Sequence, residues 1–85
     1  MNLKIEYAEV FNEKQLKDIN FFYENVDKYL NDPFLTDKYI IISEEKLINS
    51  FDNFENAIKY AVEKLPKNEF IIQHVTDNKK IVNFI

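Results

Sequence analysis

The order of apolar and polar residues predicts strands at both ends and in the middle of the chain. Over residues 3–7 the two kinds alternate with a period of two, which is typical of a half-buried strand. Segment 39–43 is β-branched and almost continuously apolar, which favours a central strand, and 46–51 predicts its returning partner. Because the chain has no Gly, the reversal at Glu44-Glu45 cannot be an Asn-Gly turn, and we expect a longer or looser loop.

A first helix is predicted between the initial strand and this central pair. Asn12 has the properties of an N-cap, Gln15 completes a capping box, and Phe11 and Leu16 occupy the positions of a hydrophobic staple. The helix should end near Leu30, ahead of an Asn-Asp-Pro sequence. At 100° per residue its apolar side chains share one arc, and two residues after the helix should also enter the core. The expected core residues are Leu16, Ile19, Phe22, Tyr23, Val26, Tyr29, Leu30, Phe34 and Leu35.

A second helix is predicted after the central strands. Asp52 is the expected N-cap, Glu55 completes a capping box, and Pro66 ends the helix. Its apolar positions form one stripe, and two small alanines would allow a close approach to the sheet. The expected core stripe is Phe54, Ala57, Ile58, Ala61, Val62 and Leu65.

Two further strands are predicted over residues 70–76 and 81–85, joined by a short reversal. The last strand is apolar to its final residue, so it is either covered or an open edge that can accept another chain. Residues 1–85 are therefore predicted to form a single small α+β domain in the order β-α-β-β-α-β-β. We expect a mostly antiparallel sheet with the second helix packed on one face and the first helix completing the core.

Composition restricts the origin and location of the protein. The chain has no Cys, so no disulfide can stabilise it and a reducing compartment suits it. Ile, Asn, Lys, Phe and Tyr dominate and Arg is absent, a bias that indicates an A/T-rich bacterium or its phage. No apolar run approaches the roughly 18 residues of a membrane span, and the N-terminus lacks the order of a signal peptide. We expect a cytoplasmic protein without membrane contact.

The distribution of charge argues against nucleic acid as a direct ligand. The net charge is −4, and all of it lies in residues 1–37, whereas residues 38–85 are balanced. Binding to phosphates needs a basic stripe, which this pattern does not provide. Binding of single-stranded RNA through sheet aromatics is a weaker alternative, for which the candidates are Tyr39, Phe51, Phe70 and Phe84.

The residues that catalysis or metal binding would need are scarce. His74 is the only His and falls within a predicted strand, where a surface or half-buried sheet residue is favoured over a member of a nucleophilic triad. One His without any Cys cannot supply the four ligands of a structural zinc site. Glu44 and Glu45 form a carboxylate pair, but at an exposed turn without burial to shift a pKa. Without Gly there is no usual phosphate-binding loop or calcium loop. We expect neither enzyme activity nor a cofactor nor a bound metal.

Some apolar side chains fall outside the predicted core. Phe21 lies opposite the apolar arc of the first helix, and Tyr60 points away from the stripe of the second. Each is either an ordinary exposed aromatic or an anchor for a partner. Val82 in the last strand is a further candidate contact if that strand is an open edge.

The middle of the chain resembles a family of short bacterial and archaeal proteins that form a domain of unknown function. The matching features are a Lys-Tyr pair that opens a strand, a Ser-Phe pair that ends the next, an acidic helix with alanines, and a Phe-Ile-Ile strand. The resemblance covers about residues 38–76 and implies a fold of this kind without implying an activity. The residues that carry it are Lys38, Tyr39, Ser50, Phe51, Glu55, Ala57, Ala61, Phe70, Ile71 and Ile72.

By elimination, the sequence predicts a small acidic, non-enzymatic module that binds a protein through an exposed patch. One alternative is a phage or mobile-element inhibitor of a bacterial defence nuclease, of the anti-CRISPR type. Its first helix would face a basic nucleic-acid channel on the target through Glu13, Asp18, Glu24 and Asp27. The other alternative is a structural homodimer joined through the edge at residues 81–85.

Overall fold

The computed structural model describes residues 11–76, which form two helices and one three-stranded sheet. This confirms a small α+β domain with an antiparallel sheet. The strands predicted over residues 3–7 and 81–85 lie outside the described residues. In chain order the elements are α1 (Glu13–Leu30), β1 (Tyr39–Ser43), β2 (Lys46–Phe51), α2 (Phe54–Lys64) and β3 (Ile71–His74).

Strand β1 lies in the centre of the sheet, between β2 and β3, and is antiparallel to both. Ser43 pairs with Lys46 across the turn, while Ile41 pairs with Asn49 and Ile42 with Leu47. The register therefore shifts by one residue between Ile41 and Ile42, which is the pattern of a β-bulge in β2. The bounds of β1 and β2 are those that the sequence predicts, and β3 is shorter than predicted.

The two helices cover opposite faces of this sheet. Ile40 and Ile42 belong to a cluster with α1, whereas Ile41 between them belongs to a separate cluster with α2. The alternation follows from the period of two in a strand, and none of the three side chains has accessible surface. The buried members of the α1 cluster include Phe11, Ile19, Phe22, Val26, Tyr29, Ile71 and Val75, and those of the α2 cluster include Ala57, Ala61, Phe70 and Ile72.

The start of α1 confirms the predicted capping box. The side chain of Asn12 accepts a hydrogen bond from the backbone N–H of Gln15 at 2.8 Å, and the Gln15 side chain accepts one from the N–H of Asn12 at 3.1 Å. Two of the helix's first amides are thereby satisfied. The buried face of the helix differs from the predicted arc, because Gln15 and Asp18 are buried while Tyr23 is 47% exposed. Phe34, which was expected in the core, is 81% exposed.

The start of α2 lies one residue later than predicted. Asn53 is the N-cap, and its side chain accepts a hydrogen bond from the N–H of Asn56 at 2.8 Å. The prediction of an Asp52 cap with Glu55 in a capping box is therefore wrong. Asp52 instead pairs with Lys38, which directly precedes β1. The stripe of α2 is also narrower than predicted, because Val62 is 67% exposed.

The reversal between β1 and β2 is tighter than the absence of Gly suggested. Only Glu44 and Glu45 separate the paired residues Ser43 and Lys46, and their φ angles are 53° and 57°. Positive φ at both central residues is the signature of a type I′ turn, whose twist matches that of the strands it joins. The prediction of a longer or looser loop is wrong. Two glutamates accept a left-handed backbone that Gly or Asn normally occupies.

We expect Asn53→Ala to lower the free energy of unfolding by about 1 kcal/mol, because the amide of Asn56 loses its acceptor. Asp52→Ala is the matched control, and it should cost less because it removes only an exposed ion pair. Urea unfolding followed by circular dichroism measures both changes. A larger loss in the Asp52 variant than in the Asn53 variant would contradict the observed helix start.

Candidate binding groove and neighbouring acidic pocket

The acidic residues predicted on α1 do not form one exposed acidic face. Glu13, Glu24 and Asp27 are exposed, but Asp18 is only 1% exposed because it lies on the side of the helix that meets the sheet and the turn at Glu45. The expectation of Asp18 as an exposed acid is therefore wrong. The remaining charged side chains of α1 balance, with three acids against three lysines: Glu13, Glu24, Asp27, Lys14, Lys17 and Lys28.

The aromatic anchors predicted from the sequence are partly covered. Phe21 is half-buried and packs against the α1 cluster, so its position opposite the apolar arc does not leave it exposed. Tyr60 is also half-buried and packs against the α2 cluster, with its ring centroid 5.4 Å from that of Phe51. Val82 lies outside the described residues. Whether any of the three contacts a partner stays a prediction.

An apolar groove lies where α2 ends and the chain turns back towards β3. It has a volume of about 310 Å³ and is lined by Ile58, Val62, Leu65, Lys67, Asn68 and Phe70. Val62 is the most exposed of its large apolar residues, at 67%, whereas Phe70, which also lines it, is buried. Apolar side chains around a concave surface are the usual composition of a binding site. The sequence pattern assigned four of the six lining residues to the core or to a strand and gave no sign of the groove.

One wall of the groove is held in place by the first turn of α1. The buried side chain of Gln15 donates a hydrogen bond to the carbonyl of Phe70 at 3.2 Å. The side chain of Asn12 donates to the carbonyl of Asn68, a residue with a φ of 62°. Lys14 forms an ion pair with Glu69 at 2.8 Å, and this hydrogen bond and charge raise the pKa of Lys14. Three consecutive loop residues are therefore bound to the same helix end.

A second concave region, which we call the acidic pocket, lies beside α1 and the β1–β2 turn. It has a volume of about 300 Å³ and is lined by Lys14, Lys17, Asp18, Glu44 and Glu45. Oδ1 of Asp18 accepts a hydrogen bond from the N–H of Glu45 at 2.8 Å. Burial raises the pKa of Asp18 to about 6, and the hydrogen bond from Glu45 opposes this rise only in part.

The remaining polar candidate, His74, takes part in a small surface cluster at the end of β3. Its ring stacks on Tyr39 with a centroid distance of 4.2 Å, and its Nε2 lies 3.0 Å from Oδ1 of Asp37. It is half-buried, as expected for a sheet residue. Within residues 11–76, no three His, Asp or Glu side chains lie close enough together to hold a metal ion.

Comparisons with protein-family models, curated proteins and solved structures find no match to this chain. The resemblance to a domain of unknown function over residues 38–76 therefore stays a prediction. Among the residues that the structure describes, no helix is both long and apolar enough to cross a membrane.

We expect Gln15→Ala to lower the free energy of unfolding by roughly 1–3 kcal/mol, because the Phe70 carbonyl and the Asn12 amide lose their partner. Lys14→Ala is the matched control on the same turn, and it should cost less than about 1 kcal/mol because its ion pair is exposed. Midpoints of urea unfolding at an unchanged m-value measure both. Equal losses in the two variants would show that Gln15 does not hold the loop.

Proposed function

We propose that this protein is a small non-enzymatic module that binds another protein through the apolar groove at the end of α2. The observation that supports this most directly is the exposure of Val62 beside Ile58, Leu65 and Phe70. Val62 belongs to the apolar stripe of an amphipathic helix, yet the described chain leaves two thirds of it uncovered. Apolar surface gathered in a concave site is where a partner gains most from burial.

The anchoring of the groove by α1 strengthens this proposal. Hydrogen bonds from Asn12 and Gln15 fix the carbonyls of Asn68 and Phe70, so the wall does not have to become ordered when a partner binds. Ordering of side chains and loops is one of the main costs of association. A groove that is formed beforehand suits the binding of a short segment with useful affinity.

The chemistry of the lining indicates the kind of segment that would bind. Of the described residues that line the groove, only Lys67 carries a charge, and Asn68 supplies the remaining polar side chain. We therefore propose a short protein segment with one or two large apolar side chains and a nearby carboxylate. The apolar side chains would contact Val62 and Leu65, and the carboxylate would pair with Lys67.

The alternatives from the sequence have less support. An inhibitor that imitates nucleic acid needs an acidic surface, but the exposed charges of α1 sum to zero once Asp18 is buried. The homodimer would use residues 81–85, which lie outside the described part of the chain. The seven-element order, the bacterial or phage origin and the cytoplasmic location remain part of this proposal as expectations from the sequence.

The proposal is tested with a library of short peptides displayed on phage and selected against the intact protein. We expect enriched peptides to combine large apolar residues with Asp or Glu. Val62→Asp should weaken their binding at least tenfold, because the segment would bury a new charge in the groove.

Phe34→Asp is the matched control, since Phe34 is more exposed than Val62 but does not line the groove. It should bind the same peptides as the wild type, and circular dichroism of both variants checks that they fold. Peptides that bind Val62→Asp as tightly as wild type, or that lose binding to Phe34→Asp instead, would contradict the groove as the binding site.

A further inference from the structure

The acidic pocket contains a carboxyl group whose burial is compensated only in part by the residues that the structure describes. Asp18 is 1% exposed, and only its Oδ1 has a partner, the N–H of Glu45 at 2.8 Å. Within the part of the chain that the structure describes, its buried Oδ2 has no hydrogen-bond partner. A buried carboxylate needs more than one donor to compensate for the water that it loses. A neutral carboxyl group loses much less hydration free energy than a carboxylate when it is buried.

The hydrogen bond from Glu45 joins this carboxyl group to a turn with an unfavourable backbone. Glu44 and Glu45 both have the left-handed φ that side chains with a Cβ normally avoid. Such residues keep this conformation where neighbouring contacts impose it. Oδ1 of Asp18 on α1 accepts a hydrogen bond from the N–H of Glu45, so a side chain of another element contacts this turn. The protonation state of Asp18 therefore affects whether the turn keeps its conformation.

Among residues 11–76, the charged groups around Asp18 come from three parts of the chain. Lys14 and Lys17 lie on its own helix, and Lys14 is already paired with Glu69 of the loop before β3. Glu44 and Glu45 come from the turn, and their negative charges add to the cost of ionising Asp18. The lysines thus give limited compensation, while the two glutamates oppose a third negative charge.

We propose that Asp18 and the β1–β2 turn form a proton-responsive latch between α1 and the sheet. With Asp18 neutral, the carboxyl group stays buried and the N–H of Glu45 remains bound to it. With Asp18 ionised, the buried charge favours a state in which water enters the acidic pocket and the turn separates from the helix. The latch therefore holds the two glutamates of the turn in a fixed arrangement under mildly acidic conditions and releases them towards neutral pH.

The direction of the pH dependence follows from the pKa of Asp18, which is about 6 in the folded chain against an ordinary value of 3.8. An acid whose pKa is raised by folding contributes its full stabilisation to the closed state when the pH lies below the pKa that the group has in the unfolded chain. That contribution is lost as the pH rises from about 4 to about 6. This is the reverse of the usual behaviour of an aspartate in an ion pair.

The experiment is NMR spectroscopy of the intact, isotope-labelled chain between pH 4 and pH 8. The amide of Glu45 should shift with a midpoint near pH 6, and the shift should be lost in Asp18→Asn, which keeps an acceptor at the same place. The amide of Asn56, bound to the non-titrating side chain of Asn53, is an internal control that should show no such shift. A pH-dependent shift of the Glu45 amide that persists in Asp18→Asn would come from another group and would contradict its assignment to Asp18.

Hydrogen exchange at the same amide tests the latch itself. After correction for the intrinsic rate, protection of Glu45 should fall by up to about tenfold per pH unit between pH 4 and 6 and then level off. In Asp18→Asn it should be independent of pH. If that variant does not fold, the Asp18 carboxyl carbon of the wild type gives the midpoint directly. A midpoint below 5, or protection of Glu45 that does not change with pH, would overturn the proposal.

Discussion

The fold depends on the burial of both faces of one short strand. Ile40, Ile41 and Ile42 are consecutive, so they point alternately to the two sides of the sheet, and none has accessible surface. An antiparallel sheet can leave one face in water, but this run of isoleucines leaves neither face polar. Each face therefore needs its own cover, which α1 provides on one side and α2 on the other. The two hydrophobic clusters and the central position of β1 follow from this constraint.

Because α1 covers one face of the sheet, polar side chains of this helix lie at the margins of the contact between helix and sheet. Both candidate sites depend on these side chains. Gln15 and Asp18 lie on the buried side of the helix, where each makes a hydrogen bond to backbone of another element. Gln15 fixes a wall of the apolar groove, and Asp18 contacts the β1–β2 turn. The same helix thus fixes part of the groove's lining and supplies side chains to the acidic pocket, although the chemistry of the two sites differs. The groove is apolar and exposed, whereas the pocket contains a buried carboxyl group.

The sequence alone predicts the elements well, because strong local signals set them. The capping box at Asn12 and the isoleucine run of β1 leave little freedom for the helix start and the central strand. Prediction from the sequence fails where a contact between distant segments determines which residues are buried. The hydrophobic pattern predicts that Asp18 lies outside the buried arc of α1. The backbone N–H of Glu45, 27 residues away, nevertheless donates a hydrogen bond to its buried side chain.

The candidate groove could not be predicted for a similar reason. At 100° per residue Val62 lies about 80° from Phe54, at the edge of the stripe, so its burial depends on what packs beside α2. The pattern does not contain that information. The turn at Glu44 was missed because the preference for Gly at positive φ is a tendency, which strand pairing and the contact from Asp18 override.

The most direct test of the central constraint is native-state hydrogen exchange measured residue by residue. If burial of both faces of β1 determines the fold, the hydrogen-bonded amides of Ile40 and Ile42 should exchange only when the whole domain unfolds. Their free energy of opening should then equal that from urea unfolding, and the amides near the ends of α1 and α2 should open at lower cost. If β1 opened well below the global free energy while either helix stayed protected, the sheet would not be the element on which the rest depends.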